Sequence, residues 1–265
     1  MSGNFPIKKC KKCGLVHAYP LPSQKEINEL YKGDYYKNYS NYSSQKLVHQ
    51  RYFRKKLVEI KKKIQMGRIL DIGCALGYFL EEAKKQGFEV QGTDISSYAV
   101  SYCKKKGFEA TINLTQLIKN NKRFDVITAF EIIEHERDPE KMTEIIYKLL
   151  KNKGFCLCTT PNYDTLSRRI MGKFWFGYNH REHLYFFSPK TLKLLFEKAG
   201  FINISVKKDD SRNYPLNYFF KRAADYFQNR SLKKCFLFLA KIFKKSNVAF
   251  PFNFWGNIII YAEKP

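Results

Sequence analysis

With 265 residues, 44% of them hydrophobic and 16% aromatic, the chain is long enough to bury a core and too apolar for a disordered polypeptide. Its 48 basic residues against 24 acidic ones leave a net charge of +24, which suits an anionic partner: nucleic acid, a membrane surface or an acidic substrate. The lysines come as short clusters along the whole chain and form no single basic tail, so a solvated surface accounts for them equally well.

Residues 1–60 are polar and Tyr-rich, and the pattern predicts helices over about 23–31 and 45–63. From there strands and helices alternate. "RILDI" reads as a buried strand and 77–86 as a helix; "FEVQGTDI" is a second strand, followed by a helix ending at Gly107. "FEATI" and "FDVITAF" are the third and fourth strands. Asp138 and Pro139 open a helix as N-cap and first-turn residues, with Met142, Ile145, Ile146, Leu149 and Leu150 at helical spacing. "FCLCTTP" is a fifth strand, Ser188 and Pro189 open another capped helix closed by Gly200, and "FINISV" and "NIIIYAE" are the last two strands. Such alternation predicts an α/β fold with a mostly parallel, doubly wound sheet and helices on both faces. Two segments interrupt it: an aromatic loop over 161–187 and a helical insertion over 211–256. The domain reading is therefore an extension over 1–60 and a domain over 61–265.

Seven cysteines, an odd number without a regular framework, argue for a reducing compartment. The start, "MSGNFPIKKCKKCG", has no apolar core for a signal peptide, and no apolar run approaches the ~20 residues that span a bilayer. The expected location is cytoplasmic, with a peripheral place at the inner membrane face if the insertion binds lipid.

"LDIGCALGYFLEEA", residues 70–83, carries the chemistry. An apolar run ends in Asp71, turns through Gly73 and Gly77, and enters a helix. A dinucleotide site needs a second glycine where this chain has Ala75, because the backbone must approach the pyrophosphate closely. Asp71 would also meet that pyrophosphate as a like charge. S-adenosylmethionine (SAM) reverses the argument, since it carries a sulfonium, an ammonium and no phosphate. Asp94 ends the second strand, 23 residues after Asp71, a spacing that suits a carboxylate accepting both ribose hydroxyls.

Taken together, "ILDIGCALGYFL", "GTDIS", "FDVITAFEIIEHERDP" and "CTTPN" resemble the successive motifs of a class I SAM-dependent methyltransferase, of the type 11/12/23 kind, over residues 66–206. Ala75 departs from the usual acid-x-Gly-x-Gly-x-Gly pattern. The resemblance implies a Rossmann-like sheet of strand order 3-2-1-4-5-7-6 with its last strand antiparallel. It implies SAM as cofactor and S-adenosylhomocysteine as product. It places Asp71, Gly73, Cys74, Ala75, Gly77 and Tyr78 at the cofactor loop, Asp94 and Ile95 at the ribose, Asn113 and Leu114 near the adenine, and Phe130 and Glu131 along the cofactor.

Methyl transfer to a hydroxyl or an acidic carbon needs a group to take the proton. The candidates are His135 in "EHERDP" and His180, His183 and Tyr185 in "NHREHLYFFS", with His183 the first choice. Each could equally be a structural residue bracing a loop. No metal site is assigned there. Methyltransferases acting on base amino groups carry an Asn/Asp-Pro-Pro-aromatic run after the fourth strand, where this chain reads "FEIIEH", which argues against nucleobase N-methylation. The expected acceptor is a hydroxyl of a small molecule, a sugar or a lipid-linked glycan. An RNA acceptor, which the charge permits, and a SAM-binding protein without turnover are the alternatives.

"KKCKKCGLVHAYPLPS" resembles the second knuckle of a zinc ribbon. A structural zinc needs four ligands; Cys10 and Cys13 supply two and His17 could supply a third, so the reading is a ribbon remnant without metal. In the insertion, Leu216, Phe219, Phe220, Ala223 and Phe227 form a helical stripe, and "LKKCFLFLAKIF" is apolar on most of its circumference yet too short to span a bilayer. It reads either as a lid or dimer-interface helix, or as a peripheral membrane patch within 216–245.

Overall fold

A computed structural model describes residues 6–30, 46–172, 175, 177–178, 182–209, 216–217, 220–221, 224, 229–243 and 256–265. Its main body is a seven-stranded sheet. The strands are β3 (Arg68–Ile72), β4 (Glu89–Thr93), β5 (Glu109–Thr111), β6 (Phe124–Phe130), β7 (Leu150–Pro161), β9 (Ile202–Lys208) and β10 (Asn257–Glu263). Their spatial order is β5-β4-β3-β6-β7-β10-β9. β3 to β7 are parallel and β10 runs antiparallel to both β7 and β9. This is the order the resemblance implied.

Alternation along each strand feeds two apolar layers. Leu70, Ile127, Cys156, Cys158, Ile258 and Ile260 face one side. There they meet helices α5 (Leu114–Lys119), α6 (Pro139–Leu149) and α8 (Pro189–Lys198) through Leu117, Ile146 and Phe196. Ile69, Val126, Phe155, Leu157 and Ile259 face the other. They pack on α2 (Lys46–Lys61) and α3 (Tyr78–Lys85), while α4 (Ser97–Lys105) closes over Cys74 and Leu80 through Val100 and Cys103. Four of the seven cysteines are thus buried, as small apolar fillers.

Helix α2 lies in the segment assigned to the extension, yet Tyr52, Phe53, Leu57 and Ile60 make it part of the sheet's own packing. It also ties down the foot of the insertion. Lys56 and Asp209, both buried, pair at 2.9 Å, and the Tyr52 hydroxyl donates to Asp209 at 2.7 Å. Breaking such a buried pair on one side costs roughly 3–5 kcal/mol.

The predicted caps form. Asp138 accepts from the Lys141 amide, and Ser188 and Thr191 make a reciprocal capping box. The fifth strand is longer than predicted: β7 starts at Leu150, directly after α6, because Leu150 already pairs with Phe124 before the register shifts.

A second, small sheet was not predicted. β1 (Ile7–Lys9) and β2 (Val16–Ala18) form a hairpin around the Cys10–Cys13 turn, and β2 pairs with β8 (Tyr185–Phe186) from the aromatic loop. Val16 and Phe186 pack with Trp175 beneath it. The remaining helices among the described residues are α1 (Gln24–Leu30), α7 (Leu166–Met171) and α9 (Arg230–Ile242). No helix among the described residues is long and apolar enough to cross a membrane.

Candidate active site

The carboxyl ends of β3, β4 and β6 meet at the glycine loop. Gly73 has φ of 75°, and a Cβ there would lie 2.1 Å from the Ile132 Cδ1 atom, so any other residue would strain the backbone and push Ile132 aside. Gly77 at φ 72° opens α3 in the same left-handed conformation. Between them Ala75 also has a positive φ, 45°. The alanine thus adopts the backbone that the family's glycine adopts freely, at a strain of roughly 1–2 kcal/mol.

Asp94 holds this loop. Its Oδ2 accepts from the Ala75 amide and its Oδ1 from the Ser96 amide, each at 2.9 Å. A carboxylate has about four acceptor positions, so ribose hydroxyls can join these two bonds. The next side chain, Ile95, is 47% exposed, and Ile112 beyond the paired strand β5 is 53% exposed. Two large apolar side chains left bare beside an acid suit the face of an adenine. Ile112 was not singled out from the sequence. The resemblance implies Asn113 and Leu114 instead, whose side chains do other work: Asn113 caps α5 through its amide oxygen, and Leu114 leans on the main core.

Asp71 is buried, and the Thr128 hydroxyl donates to it at 2.7 Å. Burial pushes its pKa up to about 8; the Thr128 bond works against this and the Asp94 charge adds to it. An acid in that condition is poised for a cation. Cys74 and Tyr78 are buried, the first under α4 and the second beside Lys46 and Lys106. Phe130 turns into a ring cluster with Tyr52, Phe53 and Phe79. Glu131 follows it with φ of 57°, a strained conformation for a glutamate, and Asn257 donates to its carboxylate at 2.6 Å.

Two of the four proposed catalytic residues come together. The rings of His135 and His183 meet edge to face at 4.7 Å. Each is oriented by a carbonyl: His135 Nδ1 donates to Glu182 at 2.9 Å, and His183 Nδ1 donates to Gly177 at 2.8 Å. Since a carbonyl only accepts, both rings carry a proton on Nδ1. Burial, with His183 beside it, pushes the His135 pKa down to about 3. Glu134, buried next to this pair, was not singled out from the sequence. One ligand atom each from Glu134, His135 and His183 lies within 4.8 Å of the others, a set able to hold a divalent cation. Tyr185 stands apart: its hydroxyl donates to the Arg137 carbonyl and its ring stacks on Phe187. His180 lies outside the described residues.

A family model described as a methyltransferase domain matches residues 45–206. The chain belongs to that family. Its family is that of the class I, SAM-dependent methyltransferases, and the loop geometry suits that cofactor: an acid beside the loop, bare apolar side chains next to it and no second glycine for a pyrophosphate. Over 116 residues this methyltransferase is 30% identical to a ubiquinone biosynthesis O-methyltransferase of Coxiella burnetii, which covers 41% of this chain and 50% of that protein. Over 146 residues it is 31% identical to the enzyme of that name from a Ruegeria species, covering 50% and 59%. The chain thus spans between half and three-fifths of those relatives. Among solved structures, a SAM-dependent methyltransferase from Archaeoglobus fulgidus aligns with a TM-score of 0.56 at 20% identity, over 85% of this chain and all of that one. A Haemonchus contortus phosphoethanolamine N-methyltransferase in complex with S-adenosylhomocysteine aligns at 0.57 and 17%, over 94% and 62%. The fold is shared with both.

At the N-terminus the cysteine turn is well formed, with Gly14 N–H donating to the Cys10 carbonyl. Amides of Cys13 and Lys12 hydrogen-bond the Cys10 sulfur and hold its pKa below the ordinary thiol value. Among the described residues, however, Cys10, Cys13 and His17 do not gather as a ligand set, and His17 turns toward Tyr185.

Proposed function

We propose that this methyltransferase acts on a hydroxyl of a small molecule, with a sugar or a lipid-linked glycan as the finer class, and that His183 receives the hydroxyl proton. The observation that carries the reading is the hydrogen bond from His183 Nδ1 to the Gly177 carbonyl. In a neutral ring that bond makes Nε2 the basic nitrogen. The relatives named as O-methyltransferases support a hydroxyl acceptor. SAM, when bound, supplies the electrophilic methyl group. Asp94 and the bare Ile95 and Ile112 would hold its nucleoside end, and Asp71 would meet its ammonium. Glu131, fixed by Asn257, lines the cofactor end of β6. His135 braces His183 edge to face and stays neutral at physiological pH, because its pKa is held near 3. It therefore positions, and His183 takes the proton.

The test is S-adenosylhomocysteine release with hydroxyl-bearing aromatics and sugars, with amines and RNA as controls. His183→Ala should lower the rate about 10²–10⁴-fold with SAM affinity nearly unchanged. The wild-type rate should rise with pH through the range where imidazoles lose their proton; His135 cannot produce that limb. A His183→Ala enzyme with normal rate and pH profile would remove the assignment. Activity lost on dialysis against a chelator and restored by a divalent cation would instead give Glu134, His135 and His183 to a metal.

A further inference from the structure

Helix α9 has two unlike faces. Inward, Phe236 and Phe243 meet the Phe220 ring at 6.3 and 5.4 Å, and Ala240 is buried. Outward, Phe238 and Ile242 are 63% and 57% exposed, with exposed Cys235 on the same side of the helix. Arg230, Lys234 and Lys241 border this stripe and Lys233 lies beyond them, all exposed. Between residues 226 and 262 the sequence has no Asp or Glu at all, but six Lys and Arg residues. Topology fixes where the insertion is rooted. β9 is parallel to β7, and β10 runs back against both, so the insertion leaves and re-enters the sheet at the edge where β3, β4 and β6 end. That is the cofactor edge.

We propose that the outer face of α9 docks the cofactor edge of the protein on an anionic phospholipid surface. A 13-residue helix is about 20 Å long, too short to span, and it would lie in the plane of the interface. Its apolar stripe would enter the acyl boundary while the cations meet headgroup phosphates. A second copy of the chain fits this face poorly. In a two-fold contact the acid-free stretch would meet itself, bringing like charge against like.

The test is sedimentation of the full chain with phosphatidylcholine vesicles, with and without phosphatidylglycerol. Binding should require phosphatidylglycerol and weaken steeply with salt. Phe238→Ser with Ile242→Ser should lower partitioning about tenfold or more. Lys233→Gln, Lys234→Gln and Lys241→Gln together should lower it roughly a hundredfold at low salt, about fivefold each. Unchanged SAM affinity in both variants establishes that they are folded. The proposal falls if phosphatidylglycerol vesicles leave the chain in the supernatant, or if the Phe238→Ser, Ile242→Ser protein still sediments fully. It falls equally if ultracentrifugation shows a dimer that this variant dissolves.

Discussion

Replacing Asp71 by asparagine should make the protein without cofactor far less sensitive to alkali. In the folded state the Asp71 pKa stands near 8 against an ordinary 3.8, chiefly because the carboxyl is buried. The folded protein therefore holds a proton that the unfolded chain gives up. The stabilisation this brings is full below about pH 4 and is lost as pH rises toward 8. Each pKa unit is worth about 1.4 kcal/mol, so from pH 5 to pH 8 the wild type should lose about 4 kcal/mol of unfolding free energy through this residue alone. His135 works the other way over part of that range, since its depressed pKa adds stability as pH rises toward the unfolded value of about 6.5. The comparison with Asp71→Asn cancels that contribution. Asparagine keeps the shape and can still accept from the Thr128 hydroxyl. Urea unfolding at pH 5, 6, 7 and 8, followed by tryptophan fluorescence, should show the two stability profiles diverging by about 4 kcal/mol. Calorimetry should also show SAM binding releasing a proton at pH 7 in the wild type and none in the variant, because the ligand's ammonium favours ionised Asp71. Parallel profiles and no proton release would refute this account of the acid.

Asp94→Ala should weaken SAM binding by about 1.5–3 kcal/mol, the effect of losing a charged hydrogen-bond acceptor, as measured by calorimetry. Unchanged affinity would remove the ribose assignment, and tight NADH binding by the wild type would contradict the reading of the loop. Ala75→Gly should stabilise the protein by about 0.5–1 kcal/mol in urea, since relief of the left-handed strain outweighs the added freedom of the unfolded chain. A destabilised variant would mean that the alanine methyl packs favourably enough to outweigh its strain.

The sheet was legible because its strands and helices are long enough to show their periods. Seven apolar segments and the caps at Asp138 and Ser188 gave its elements, and the family resemblance implied their order. Asp71 and Asp94 stood out as candidates because they sit at strand ends. Side-chain commitments were not. Nothing local says that Asn113 spends its amide on a cap, that Tyr185 donates to Arg137, or that Thr128 serves Asp71 from the neighbouring strand. The small sheet escaped because two or three residues are too few for a period to show. Its signal was present all the same: "PIKK" and "LVHAY" flank a tight Cys-Lys-Lys-Cys-Gly turn.

That small sheet also sets an order of assembly. β2 meets β8 across about 170 residues of chain, through His17↔Tyr185 and an Ala18 amide that donates to Leu184 at 2.8 Å. So distant a pairing pays its loop-closure entropy late, after the intervening sheet has condensed. His183 lies two residues before this seam. The hairpin cannot find its strand until the intervening chain is made, so this seam and the histidine beside it depend on the main sheet being in place.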